Sequence, residues 1–110
     1  MRSPIPKAIR EQLSDDPFMT RCCVADATCL GYIQWHHGLT YAGQRQNELW
    51  AILPVCESHH RREAQYRDEL EFAMSARIFA FDAEADAEYK YPRRNWKRLL
   101  PFKRLRPKTI

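Results

Sequence analysis

All four cysteines and all four histidines of the chain lie between Cys22 and His60. The cysteines are Cys22, Cys23, Cys29 and Cys56; the histidines form two adjacent pairs, His36-His37 and His59-His60. Thiolate and imidazole are the ligands zinc prefers, and four of them close a tetrahedral site. Cys56-Glu57-Ser58-His59 has C-x-x-H spacing, which puts two ligands on one side of a turn entering a helix. Cys29 with either Cys22 or Cys23 supplies the other pair from a preceding knuckle. The knuckle is irregular, because Ala25 stands where C-x-x-C would need its second cysteine. Cys22 is the expected ligand, with Cys23 its alternative. Such a Cys3His zinc site contributes folding free energy directly, on the order of 10 kcal/mol in isolated fingers.

One closed site leaves imidazoles over. His36, His37 and His60 suit a second, open and working site. Metal-assisted cleavage of a phosphodiester needs a base to take a proton from water. It also needs a cation beside the phosphate to stabilise developing charge. Imidazole serves either purpose near neutral pH. Adjacent residues on an extended segment point in opposite directions, so one of His36 and His37 is expected to face the metal and the other the attacking water. His60, beside His59, can reach the same metal. The competing readings are ordinary buried or surface imidazoles and a disulfide framework. Disulfides alone do not explain paired histidines, and clustered Cys with His in a reducing compartment reads first as metal binding.

These residues need elements to hold them. Ile5, Ile9 and Leu13 mark a helical stripe after Pro6, which fits a first helical turn. Ser14-Asp15-Asp16-Pro17 ends it, and residues 21–31 read as the metal knuckle, with Gly31 relaxing the backbone. Residues 32–37 are rich in strand formers and end at the first histidine pair. Residues 38–46 read as a polar loop, and 49–55 as a second strand, or a strand plus turn, interrupted by Pro54 and running into Cys56. From Glu57 a helix is expected to run unbroken to Phe79 or Phe81, with Leu70, Ala73, Met74, Ile78 and Phe81 on its apolar face. A short helix over 82–89 follows. Trp96, Leu99 and Leu100 suggest one or two further turns, limited by Pro101 and Pro107. The expected class is α+β, as one domain in three stretches: an N-terminal helix and turn (1–20), a zinc-stapled core with its extended helix (21–81), and a helical, basic and aromatic tail (82–110).

The charge is uneven. After Glu88 there is no acidic residue, and nine of the 18 basic residues follow it, interleaved with Tyr91, Trp96 and Phe102. One-signed charge with aromatics suits a polyanion, because Lys and Arg neutralise phosphates while rings stack on bases. Arg45, Arg61 and Arg62 stand near the histidines in sequence; each could clamp phosphate or simply be solvated. Met1 to Pro6 lacks the apolar core of a signal peptide, and no apolar run reaches the roughly 20 residues of a membrane span. A cytoplasmic location is therefore expected, with no membrane partner.

The stretch 21–63 resembles an HNH (His-Me finger) endonuclease domain, particularly small phage and prophage versions. The resemblance rests on Cys29-Leu30-Gly31, Trp35-His36-His37, Tyr41-Ala42-Gly43, Asn47-Glu48 and Trp50 through His60, in that order. It implies a ββα-metal motif with a structural zinc knuckle and additional packed helices. It further implies hydrolysis of DNA phosphodiester bonds with a divalent cation, either magnesium or manganese. Two imidazole ligands also suit nickel or zinc. By the same resemblance His37 is the general base and His36 and His60 hold the catalytic cation. Asn47 orients the base, and Cys22, Cys29, Cys56 and His59 hold the structural zinc. Where the commonest pattern has an Asn five residues before the last cysteine, this chain has Ala51. Glu63 stands where many members carry Lys, His or Asn, and could join the metal or be a solvated helix residue. DNA would be bound by the active-site groove and the basic tail. The alternative is a non-catalytic zinc module that grips DNA or protein, or an accessory factor in phage recombination or packaging.

Overall fold

From Ile5 the chain runs through α1 (Lys7–Ser14), β1 (Ile33–His37), β2 (Thr40–Tyr41), β3 (Gln44–Arg45), β4 (Ile52–Cys56), α2 (Glu57–Arg61), α3 (Arg67–Ala80) and α4 (Glu84–Lys90). Short 3-10 turns occupy Pro17–Thr20 and Glu63–Tyr66. The computed structural model describes residues 5–94 and Trp96. Phe102, the helical turns expected at Leu99 and Leu100, and the tail cations Lys97, Arg98, Lys103, Arg104, Arg106 and Lys108 lie outside the described residues. The fold is small and α+β: two small antiparallel sheets with helices around them. No helix among the described residues is long and apolar enough to cross a membrane.

The most apolar segment, β4, is buried along its whole length. It pairs antiparallel with β1, Ile33 opposite Cys56 and His37 opposite Ile52. Pro54 does not interrupt this strand. A strand residue's N–H and C=O point to the same side, and the Pro54 carbonyl faces outward to accept the Cys23 N–H at 2.8 Å. The missing donor is thus on the edge away from β1, where the ladder does not need it. The same bond pins the knuckle to the sheet.

Behind the sheet, α3 buries Leu70, Ala73, Met74 and Ile78 against Leu53, Val55 and Trp50. Ala87 of α4, Tyr91 and Trp96 close this core. Leu13 of α1 joins a second cluster with Met19 and Ile52, flanked by Trp35 and Leu49. The helix stripe extends one residue less than its spacing suggests. Phe81 is exposed and lies under the Arg77 guanidinium, 4.8 Å from its ring centre.

Two expected elements differ. The helix from Glu57 is not continuous. It stops after Arg61, because Arg62 leaves helical geometry (φ −114°, ψ 29°) and its Nε and Nη2 donate back to the Ser58 carbonyl and hydroxyl. The 3-10 turn that follows carries Glu63 toward β1. The polar loop 38–46 contains a hairpin, with Thr40 opposite Arg45 and Tyr41 opposite Gln44. Its two-residue turn, Ala42-Gly43, has positive φ at both positions (53° and 79°), the mirror-image turn that matches strand twist. Ala at the first position hid that signal.

One part-buried ion pair joins the N-terminal stretch to α3. Arg77 donates from Nη2 to Asp16 Oδ2 at 2.7 Å and stacks over Phe18 at 4.2 Å. Asp16 also accepts from the Phe18 N–H. Burial resists ionisation of Asp16, but the bonds from Arg77 and Phe18 together with the Arg77 charge outweigh it and hold the carboxyl below its usual range. Asp16→Ala leaves Arg77, itself largely buried, without its anion, and is expected to cost about 3 kcal/mol in urea melts near neutral pH. Because the folded carboxyl titrates low, this stability is present above the unfolded value of roughly 4 and is lost as pH falls through the folded one. The difference between parent and variant should therefore shrink in acid.

Candidate active site and metal centre

The C-x-x-H segment lies where β4 passes into α2, so Cys56 and His59 share the first helical turn. Knuckle and turn are tied together by backbone bonds, Glu57 N–H to the Tyr32 carbonyl and Ser58 N–H to the Leu30 carbonyl, both 3.1 Å. Gly31 makes this approach possible: its φ is +89°, and a Cβ there would collide with the Glu57 side chain. His59 is fully buried. Its Nδ1 lies 3.5 Å from Cys22 Sγ, 3.6 Å from Cys29 Sγ and 3.1 Å from Cys56 Sγ. Zinc with sulfur at about 2.3 Å and nitrogen at about 2.0–2.1 Å has tetrahedral S···N edges of about 3.6 Å. Cys22, Cys29, Cys56 and His59 thus form a cluster that could bind a metal ion, and it is compatible with structural zinc.

Cys23 is not in this cluster. Burial, reinforced by the neighbouring Cys22, pushes its thiol up to about 12 and keeps it protonated. Cys56 behaves oppositely. Burial resists its ionisation, yet the His59 and Leu30 backbone N–H groups, the His59 ring and Cys22 bring it down to about 6. Cys29 moves the other way, its thiol pushed up to about 11 by burial and by its contacts with Cys22 and Cys56.

The other face of His59 reveals two residues that the spacing of ligands did not point to. Nε2 lies 2.9 Å from Asp26 Oδ1 and 3.0 Å from Thr28 Oγ1. Asp26 is itself bound by the Thr28 hydroxyl and N–H, which hold its carboxyl below the usual range. A carboxylate on the far nitrogen fixes the tautomer and makes the near nitrogen a better donor. The Asp26-x-Thr28 turn was the available sequence signal. Asp26→Ala is expected to weaken zinc binding 10–100-fold in a chelator competition while leaving the Cys3His ligands in place.

A second convergence forms at the end of β1. His36 Nδ1 lies 3.0 Å from Glu63 Oε2, and His60 Nε2 lies 3.7 Å from the same oxygen. The His36 and His60 rings meet edge to face, centres 5.4 Å apart. One donor atom from each of His36, His60 and Glu63 falls within 4.8 Å of the others. Burial lowers the His36 pKa; Glu63 opposes the shift, while His60, His37 and Arg45 add to it. That favours a neutral imidazole with a free lone pair. His37 turns to a different partner, its Nε2 2.8 Å from Asn47 Oδ1. With Asn47 accepting the Nε2 proton, the lone pair rests on Nδ1.

His36, His37, His60 and Glu63 all line one cavity of about 1020 Å³, with Trp35 and Arg45 among its walls. Arg62 belongs elsewhere. Its guanidinium binds Ser58 and Thr28 and stacks on Tyr66, at the sulfur-rich end. Arg61 is exposed and does not line this cavity. Trp50 is core, and Trp35 is half-buried between the α1 cluster and the cavity. No family model, curated protein or solved structure matches the chain.

Proposed function

We propose that this chain is an HNH-type, His-Me finger endonuclease that hydrolyses DNA phosphodiester bonds. On this reading β1, β4 and α2 form its ββα-metal motif. One observation carries the reading. An imidazole held by an asparagine (His37 with Asn47) opens on the same cavity as a three-donor set (His36, His60, Glu63).

In this mechanism Asn47 holds the His37 ring with its Nδ1 lone pair toward the cavity. His37 takes a proton from water as that water attacks phosphorus in line. A divalent cation bound by His36 and His60, with Glu63 beside them, would supply Lewis-acid stabilisation of the charge developing on the phosphate and the leaving oxygen. Two imidazoles and a carboxylate fit manganese, nickel or zinc as well as magnesium. Burial of His36 keeps it neutral and so able to act as a ligand. The Cys3His centre takes no part in the chemistry; it fixes α2 against β1, and with it the position of His60.

The reading is tested by nicking of supercoiled plasmid across magnesium, manganese, nickel and zinc. Conversion to the open circular form with at least one of them, abolished by chelation, is the expected result. DNA binding without cleavage under every metal would reject the nuclease and favour a non-catalytic zinc module.

A further inference from the structure

Beyond the imidazoles, the cavity is bounded by two arginines from distant parts of the chain. Arg10 comes from α1 and Arg45 from the hairpin strand β3, and both are exposed. Neither forms an ion pair with a carboxylate among the described residues. Across the histidines a second cavity of about 500 Å³ shares His36, His37, Thr40 and Glu63 with the first. Its outer wall carries Arg67 and Arg94. There, however, Glu71 accepts from Arg94 at 3.2 Å and lies 3.7 Å from Arg67, so one carboxylate serves two guanidiniums. The two cavities adjoin at these shared residues, and together they outline a trough on either side of the histidines. On the Arg10–Arg45 arm neither guanidinium is paired among the described residues, the cavity's one carboxylate being Glu63 at the histidines; on the Arg67–Arg94 arm both guanidiniums share Glu71. Beyond Arg10, α1 presents Lys7 together with the carboxylates of Glu11 and Asp15.

Resting on the nuclease reading, we infer that one DNA strand lies along this trough, its backbone phosphates on one side of the scissile bond gripped by Arg10 and Arg45. Guanidinium is suited to this role, since its fork of donors matches phosphate oxygens in pairs. Contacts of this kind position the strand without reading its sequence. The arm formed by Arg67 and Arg94 contributes less, because the Glu71 carboxylate already offsets part of its charge. α1 is therefore a part of the substrate site, although it lies outside the histidine and cysteine motifs.

The test measures binding of a labelled single-stranded oligonucleotide against salt, in a His37→Ala background that leaves the strand intact. Arg10→Ala and Arg45→Ala are each expected to lower the slope of log affinity against log salt by about 0.7, the loss of one phosphate contact. The loss should be the same for unrelated sequences. Arg21→Ala removes the same charge from an exposed residue beside the sulfur cluster, outside both cavities, and should leave the slope unchanged. Retention of the full slope by Arg10→Ala and Arg45→Ala, in a protein whose parent cuts DNA, overturns the strand path alone. A parent that neither binds nor cuts overturns the nuclease reading and the path with it. Equal losses for all three variants would mean a diffuse field, and would also overturn the path.

Discussion

His37→Ala is expected to slow plasmid nicking by about 10²–10⁴-fold, the usual contribution of a positioned general base. The variant should keep its zinc and its melting temperature close to those of the parent. The reason lies in where His37 is anchored. It ends β1, half-buried at the rim of a cavity, and its hydrogen bond runs to the Asn47 side chain rather than into the core. Losing the ring therefore opens space that solvent can fill. Asn47→Ala should cost less than His37→Ala, because the ring loses its fixed tautomer but remains. Zinc content and thermal melts must accompany the rates, so that a fall in rate is not mistaken for a fall in folded protein. A His37→Ala protein that folds, holds zinc and nicks at the parental rate would remove His37 from the chemistry.

The parts of this site that could be read from sequence were those carried by residue type. Cysteine and histidine have few other reasons to cluster, so Cys29, Cys56 and His59 stand out, with Cys22 or its alternative Cys23 as the fourth ligand, and so does the surplus of His36, His37 and His60. Apolar spacing likewise marked Leu70, Ala73, Met74 and Ile78 as one face of a helix. What stayed hidden depends on side chains meeting across the fold. Asp26 and Thr28 are ordinary turn residues until His59 arrives against them. Arg62 looks like a helix residue, yet its backbone leaves helical geometry and its guanidinium bonds back to Ser58. That break matters for the site, because it turns Glu63 toward His36 instead of leaving it on a continuous helix surface. Arg10 lies 26 residues before His36 and belongs to no motif. It lines the cavity because Leu13 and Ile9 pack α1 against Ile52 and Trp35.

Replacing Cys56 by serine is expected to abolish both zinc binding and cooperative folding. Cys56 is buried, its sulfur is the nearest of the three to His59 Nδ1, and it joins β4 to α2 directly. A serine hydroxyl is a harder and far weaker zinc donor than a thiolate. Without the metal, the sulfurs of Cys22 and Cys29 and a buried imidazole would be left crowded at the junction of knuckle, strand and helix. Structural zinc contributes on the order of 10 kcal/mol in small domains, while the whole net stability of a domain is about 5–15 kcal/mol. The loss is thus comparable to everything holding the chain folded. Circular dichroism should show no cooperative thermal transition, and metal analysis should fall from one zinc per chain toward none. Chelation of the parent should give the same state, reversed by added zinc. Nicking would vanish as well, but for a different reason from His37→Ala: His60 follows His59 in the chain, so release of the staple frees His60 from the His36 and Glu63 side chains it faces. A Cys56→Ser protein that melts cooperatively near the parental temperature would show that hydrophobic burial around β4 suffices without the staple.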